Sequence, residues 1–233
     1  MESDMQLYHG DCLEMIKNIP DGSIDLLLTD PPYNVSRENN FQTMGTASRI
    51  GMDFGDWDKD FDLTGWVEPM TRLFRENANV VIFCDWKQLS VMVNAMIKNH
   101  ITPKRCLVLN KSNPAPFNRD RMFVNDVEFA VWGVYNSKDK PTKWVFNREN
   151  PVEKCVMDTT VQSSKLHPTM KDVKIMERLV RLLSNLGDTV LDPFAGVMTT
   201  GVACKRLGRK FVGIELDKIY YRRGIERIHN ETV

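Results

Sequence analysis

The 233-residue chain has no stretch approaching the ~18 consecutive apolar residues of a membrane span, and its N-terminus does not read as a signal peptide. It has few cysteines, and its five (Cys12, Cys84, Cys106, Cys155, Cys204) are scattered and never spaced as Cys-x-x-Cys. An odd, dispersed set argues against a disulfide framework and a zinc site, and fits a reducing cytoplasm. The four histidines are equally dispersed, so no metal is expected. Also missing are Gly-x-Gly-x-x-Gly and the Lys and Ser/Thr of a phosphate loop, which disfavours NAD and ATP as ligands. There is no net charge either, with 31 basic and 31 acidic side chains.

That balance hides a polarity. Residues 1–70 carry 4 Lys/Arg and 14 Asp/Glu, whereas the remainder carries 27 and 17. A chain polarised in this way can turn a basic face to phosphates while staying neutral overall, unless the two halves mix in space and cancel. Hydrophobic residues make up 42% of the sequence, ample for a core, and the length suits one α/β domain with inserted loops.

Short apolar runs alternate with helical patterns. Strands are expected at Met5–His9, Ile24–Thr29, Val80–Cys84, Cys106–Leu109, Val127–Val134, Thr189–Leu191 and Phe211–Ile214. Helices are expected at about 12–18, 88–99, 172–185, 199–207 and 217–229, with Gly187 placed to end the third. Alternation of this kind predicts a mostly parallel sheet with helices on both faces. Two segments, 35–64 and 136–165, lack periodicity and are too long to be mere connectors.

The run Leu26–Thr29 ends abruptly in Asp30-Pro31-Pro32-Tyr33. Two prolines cannot continue a strand or a helix, so the chain leaves the sheet with a carboxylate, two carbonyls and a phenol ring at its edge. Oxygens that accept N–H bonds beside a ring that stacks suit a planar substrate bearing an amino group. Asp11, Asp30, Asp192 and Glu215 each follow a strand candidate, and in open α/β sheets ligands bind at the carboxyl ends of strands. Any one of them alone reads equally as a helix cap. Val190–Ala203 reads as strand, glycine-containing turn and helix, with Glu215 lying 23 positions beyond Asp192 as a ribose-binding acid would. Without a phosphate loop, such a turn should hold a nucleoside that has no pyrophosphate, and S-adenosylmethionine fits.

Asp30–Tyr33 paired with Asp192-Pro193-Phe194-Ala195-Gly196 resembles the DNA amino-methyltransferases, which methylate the exocyclic N6 of adenine or N4 of cytosine. Gly10-Asp11, Phe83–Trp86, Asn110–Pro114 and His167–Lys171 extend the likeness over most of the chain, in the motif order often called beta. The resemblance implies a Rossmann-like, circularly permuted S-adenosylmethionine-dependent fold. It would be a single domain, 1–233, with DNA-contacting insertions at about 35–64 and 136–165. It implies that Asp30, Pro31, Pro32 and Tyr33 act on a flipped-out base, Asp30 and the Pro31 carbonyl accepting from its amine while Tyr33 stacks. Asp11, Cys12, Asp192, Pro193, Phe194, Ala195, Gly196, Thr199, Thr200, Glu215 and Leu216 would surround the cofactor, with Glu215 at its ribose hydroxyls and Asp11 at its adenine amino group. His167, Thr169 and Lys171 match a motif near the methionine end, although Thr169 also reads as a helix cap. Arg119, Arg121, Lys138, Lys140 and Lys143 are candidates for contact with double-stranded DNA. Asp at the first motif position leans toward adenine, with N4-cytosine as the alternative. The setting implied is the cytoplasm of a prokaryotic cell or a phage-infected host. With little room for a separate target-recognition domain, the chain is either relaxed in specificity or dimeric.

Two positions depart from that pattern. Met198 stands where the family has a second glycine, and Asp172 stands where it has proline. A side chain at 198 is expected to crowd the cofactor or shift the turn. A catalytically weak DNA-binding homologue is therefore the rival reading.

Overall fold

The computed structural model describes residues 4–33, 61–114, 120–121, 123–160 and 170–231. The apolar run 24–29 forms the strand its composition dictates, β2 (Ile24–Thr29), buried throughout from Leu26 to Thr29. Around it the chain builds β1 (Met5–His9), α1 (Cys12–Met15), α2 (Val67–Met70), β3 (Phe74–Cys84), α3 (Leu89–Lys98), β4 (Ile101–Lys111), β5 (Val127–Tyr135) and β6 (Val156–Thr159). There follow α4 (Val173–Leu183), β7 (Thr189–Asp192), α5 (Thr199–Leu207), β8 (Lys210–Glu215) and α6 (Lys218–Asn230). No helix of the described residues is long and apolar enough to cross a membrane.

The strands form one sheet in the order β1-β8-β7-β2-β3-β5-β4-β6. Neighbours are parallel except where β5 meets β3 and β4. Both faces are covered, which is why the central strands read as continuous apolar runs rather than alternating ones. Leu26, Leu28, Val81 and Phe83 pack on one face with Ile175, Leu179 and Val202 of α4 and α5. Leu27, Val80 and Ile82 pack on the other with Met70, Met92 and Met96.

The permuted order is met in space. β1, first in sequence, pairs with β8, nearly last, setting Met5 opposite Phe211 and His9 opposite Glu215. The chain leaves β2 toward β3 but leaves β7 toward β8, so the two connections diverge from adjacent strands. Such a reversal opens a crevice at the carboxyl ends, here between β2 and β7.

Several expectations are corrected. β5 runs antiparallel, a direction its composition does not encode. β3 and β4 are longer than their apolar cores, and β4 accommodates Pro103 at an irregularity between Pro103 and Arg105. β6 lies inside a segment read as irregular, because four residues are too few to show a period. α4 stops at Leu183 with Ser184 extended, three residues before Gly187.

Candidate active site

Because β1, β8, β7, β2 and β3 are parallel neighbours, their following acids line one edge in the order Asp11, Glu215, Asp192, Asp30, Asp85. Neighbouring strands lie about 4.8 Å apart, so Glu215 and Asp30 stand roughly 10 Å from each other across the crevice. These carboxyls do different things.

Asp192 is a buried staple. Its Oδ1 accepts from Thr29 Oγ1 at 2.8 Å and from the Phe194 N–H at 3.2 Å, and its Oδ2 accepts from Thr200 Oγ1 at 2.8 Å. Burial pushes this carboxyl up to about 7, against the pull of those donors. It ties the strand of Asp30 to the turn after β7. Thr199 is also committed, its hydroxyl accepting from Arg227 Nη1 at 3.2 Å. Asp192, Thr199 and Thr200, expected around the cofactor, hold the turn by hydrogen bonds within the protein. Pro193 and Ala195 are buried with them, the Ala195 N–H donating to the Ile214 carbonyl at 2.9 Å.

Glu215 faces the crevice. Its Oε2 accepts from the Gly196 N–H and its Oε1 from the Asp217 N–H, both at 2.7 Å. Burial raises this carboxyl, and the two backbone donors oppose the rise. Phe194 is half-buried, its ring meeting Trp66 edge-on at 5.1 Å and Phe61 at 5.4 Å. Asp11 is exposed and caps α1, with Oδ1 accepting from the Leu13 and Glu14 N–H groups. Cys12 beside it is buried, which pushes its thiol up to about 12 and makes it an apolar wall rather than a nucleophile. Leu216 is exposed at the rim.

Met198 overturns the expectation of crowding. It keeps the left-handed backbone a glycine would favour (φ 60°, ψ 39°), yet its side chain is fully buried. The side chain runs into the core, where only glycine leaves room for it. A Cβ on Gly224 would stand 2.3 Å from Met198 Cγ, and one on Gly213 would stand 2.9 Å from its Sδ. Asp172, the second departure, caps α4 by accepting from the Lys174 N–H at 2.9 Å.

Asp30 is the hub of a charged cluster that its own motif does not reveal. Tyr33 donates its hydroxyl to Asp30 Oδ1, and Gln88 Nε2 donates to the Tyr33 carbonyl. Lys171, expected at the cofactor, places Nζ 2.5 Å from Asp30 Oδ2 and 3.3 Å from Glu128 Oε2. Glu128 Oε1 also takes Lys111 Nζ at 2.8 Å. Burial pushes Glu128 up, but the two ammonium groups outweigh it and hold the carboxyl at about 2. Burial likewise pulls Lys171 down, and Asp30 and Glu128 more than reverse the effect. Glu128 and Lys111 come to this edge because β5 starts where β4 ends, Glu128 lying opposite Leu109. One signal for Glu128 was present in the sequence, as a lone acid inside the apolar run 127–134.

Of the remaining candidates, Pro31 is buried and Pro32 half-buried beside Asp30. Arg121 is exposed on the connection from β4 to β5, at the same edge as Asp30. Lys138 and Lys140 follow the far end of β5, which its nine residues place roughly 25–30 Å from that edge. Lys143 lies beyond them, so these three do not share one surface with Asp30. His167, Thr169 and Arg119 lie outside the described residues, as do positions 35–60 and 161–165 of the expected insertions.

The DNA methylase family profile matches residues 24–226. The chain belongs to the DNA methylase family. Among curated relatives of this methylase, the type II methyltransferase M2.LlaDCHI of Lactococcus lactis subsp. cremoris is 30% identical, over 96% of this chain and 88% of that protein. M2.DpnII of Streptococcus pneumoniae, also a type II methyltransferase, is 28% identical over 99% and 92%. Among solved structures, the M1.HpyAVI–SAM complex superposes with a TM-score of 0.76 and 33% identity, over 96% of this chain and 99% of that one. The cytosine-N4-specific PvuII DNA methyltransferase shares the methylase fold, with a TM-score of 0.75 at 17% identity over 99% and 88%.

The edge suits S-adenosylmethionine on its own chemistry. The turn 193–198 carries no lysine or arginine to meet a polyphosphate, while Glu215, Asp11 and Asp30 offer acceptors to a cation bearing amino and hydroxyl donors.

Proposed function

We propose that this methylase transfers a methyl group from S-adenosylmethionine to the exocyclic N6 amine of an adenine flipped out of double-stranded DNA. The observation that carries the reading is the Asp30 carboxylate, held at the β2–β7 crevice by Lys171 and Tyr33. Glu215, the Gly196 turn, Phe194 and Asp11 are the groups that would hold the cofactor. S-adenosylmethionine supplies a methyl carried on a sulfonium centre.

The chain's own part is to make a poor nucleophile react. An aromatic amine delocalises its lone pair into the ring, and two acceptors on its hydrogens draw the nitrogen toward a tetrahedral geometry. Asp30 Oδ1 is one acceptor and the Pro31 carbonyl the other. Oδ1 already takes the Tyr33 hydroxyl, so the incoming amine exchanges one donor for another, which leaves the Tyr33 ring free to stack on the base. Oδ2 stays on Lys171, fixing the carboxylate plane before substrate arrives. Acceptors positioned in advance and proximity to the methyl carbon supply the rate. The aspartate at position 30, in place of the serine of cytosine enzymes, favours adenine.

The test is to incubate the protein with unmethylated DNA and methyl-labelled S-adenosylmethionine, digest to nucleosides and identify the labelled one. Label in N6-methyladenine is expected. Label in N4-methylcytosine would overturn the base assignment while keeping the mechanism.

A further inference from the structure

A cavity of about 610 Å³ lies away from the acidic edge, beneath the half of β5 farther from Asp30 and against the end of α4. Its walls are set by buried polar links. Asn79, buried on β3, donates from Nδ2 to the Val145 and Leu183 carbonyls at 2.8 and 2.9 Å, and its Oδ1 accepts from Trp132 Nε1 at 2.9 Å. Asn147 clamps the same loop to α4, its N–H donating to the Leu182 carbonyl at 2.7 Å. The loop that carries Trp144 and Phe146 is therefore fastened to both sheet and helix.

The lining joins aromatic faces to positive charge. Trp132 and Phe146 stack at 5.4 Å, and Lys104 Nζ stands 4.2 Å over the Trp144 ring. Arg178 is neutralised by Glu153 at 3.0 Å. Lys104, Arg105, Lys143 and Lys154 make no ion pair among the described residues. Four uncompensated cations around an aromatic floor call for a ligand that is planar, apolar in its ring and anionic beside it. The volume falls within the range of small-ligand sites and admits a single nucleotide.

We propose that this cavity seats one unstacked nucleotide of a single-stranded DNA segment, its base on the Trp144 and Phe146 rings and the strand's phosphates on the four cations. A mononucleotide keeps its charge on one side of its base, whereas a strand brings a phosphate on each side of the seated base to cations set on β4, on the loop after β5 and ahead of β6. Base–aromatic stacking of this kind tolerates any sequence, while the contacts between phosphates and cations weaken with salt. The site is distinct from the one that receives the target base, and its test does not depend on methyl transfer.

The test is fluorescence anisotropy with a labelled ten-nucleotide single strand, comparing wild type with Trp144→Ala, Lys104→Glu and Lys98→Glu, the last lying outside the cavity on α3. Trp144→Ala and Lys104→Glu are each expected to weaken binding about ten-fold, and Lys98→Glu to leave it unchanged. Lys104→Glu, a rim substitution, carries the test should Trp144→Ala prove misfolded by circular dichroism. Methyl transfer to a short duplex should be unchanged in both cavity variants. Wild-type affinity in both, or no single-strand binding by the wild type, overturns the proposal. Competition by free dAMP at equal nucleotide concentration also overturns it, assigning the cavity to free nucleotides instead.

Discussion

Lys171 Nζ reaches Asp30 Oδ2 at 2.5 Å across 141 positions of sequence, and the same ammonium leans on Glu128 at 3.3 Å. Removing it would leave two carboxylates with Lys111 alone to balance them. Lys171→Met is expected to slow methyl transfer about 100-fold and to cost about 3 kcal/mol of stability. Lys171→Arg should recover part of both. Single-turnover rates and urea unfolding of the two variants check this, and a normal rate in Lys171→Met would show that Asp30 needs no such support.

Stability should depend on pH through two carboxyls that act in opposite directions. Asp192 sits near 7 in the folded chain and near 3.8 when unfolded, so its stabilising protonation is fully present below about 3.8 and lost as pH rises through about 7. Glu128 is held at about 2 against an ordinary 4.5, so its contribution is present above about 4.5 and lost as pH falls toward 2. Urea unfolding at pH 5 and pH 8 should show the wild type losing about 2 kcal/mol that Asp192→Asn does not lose. Equal losses in the two proteins would contradict the assignment.

Met198 is expected to be a core residue, not a fault in the cofactor turn. Met198→Gly relieves a left-handed backbone but empties a packed site, for a net loss of about 2 kcal/mol, with no gain in cofactor affinity. Gly224→Ala alone should be strongly destabilising, and much less so in the Met198→Gly background. Thermal denaturation of the four-member cycle measures the coupling, and additive effects would refute the contact.

Glu215→Gln places an amide N–H₂ where the Gly196 and Asp217 N–H groups both seek an acceptor. Calorimetric titration should show S-adenosylmethionine binding weakened at least about ten-fold, with DNA affinity unchanged. Unaltered cofactor affinity would remove Glu215 from the site.

How much of this was legible follows from what each feature depends on. β1, β2 and α5 occupy the bounds expected of them, because their apolar runs end at sharp local signals: Gly10, Asp30 and Gly208. The adjacency of β1 and β8 followed from the family likeness, not from any local pattern. The direction of β5 was hidden, since an apolar run reads alike either way, and with it the arrival of Glu128 and Lys111 beside Asp30. The hydrogen bonds that Asp192, Thr199 and Thr200 make within the protein were hidden, because a motif shows which residues gather, not which way each side chain turns. Met198 was misread for the complementary reason: its space is made by Gly213 and Gly224, outside the turn.

The central claim, that Asp30 at the β2–β7 crevice carries the methyl transfer, is tested most directly by the single-turnover rate of Asp30→Ala on unmethylated DNA. Loss of at least about 100-fold, with the fold intact by circular dichroism, is the result expected. A rate within a few-fold of the wild type would contradict the account and move the chemistry to another edge of the sheet.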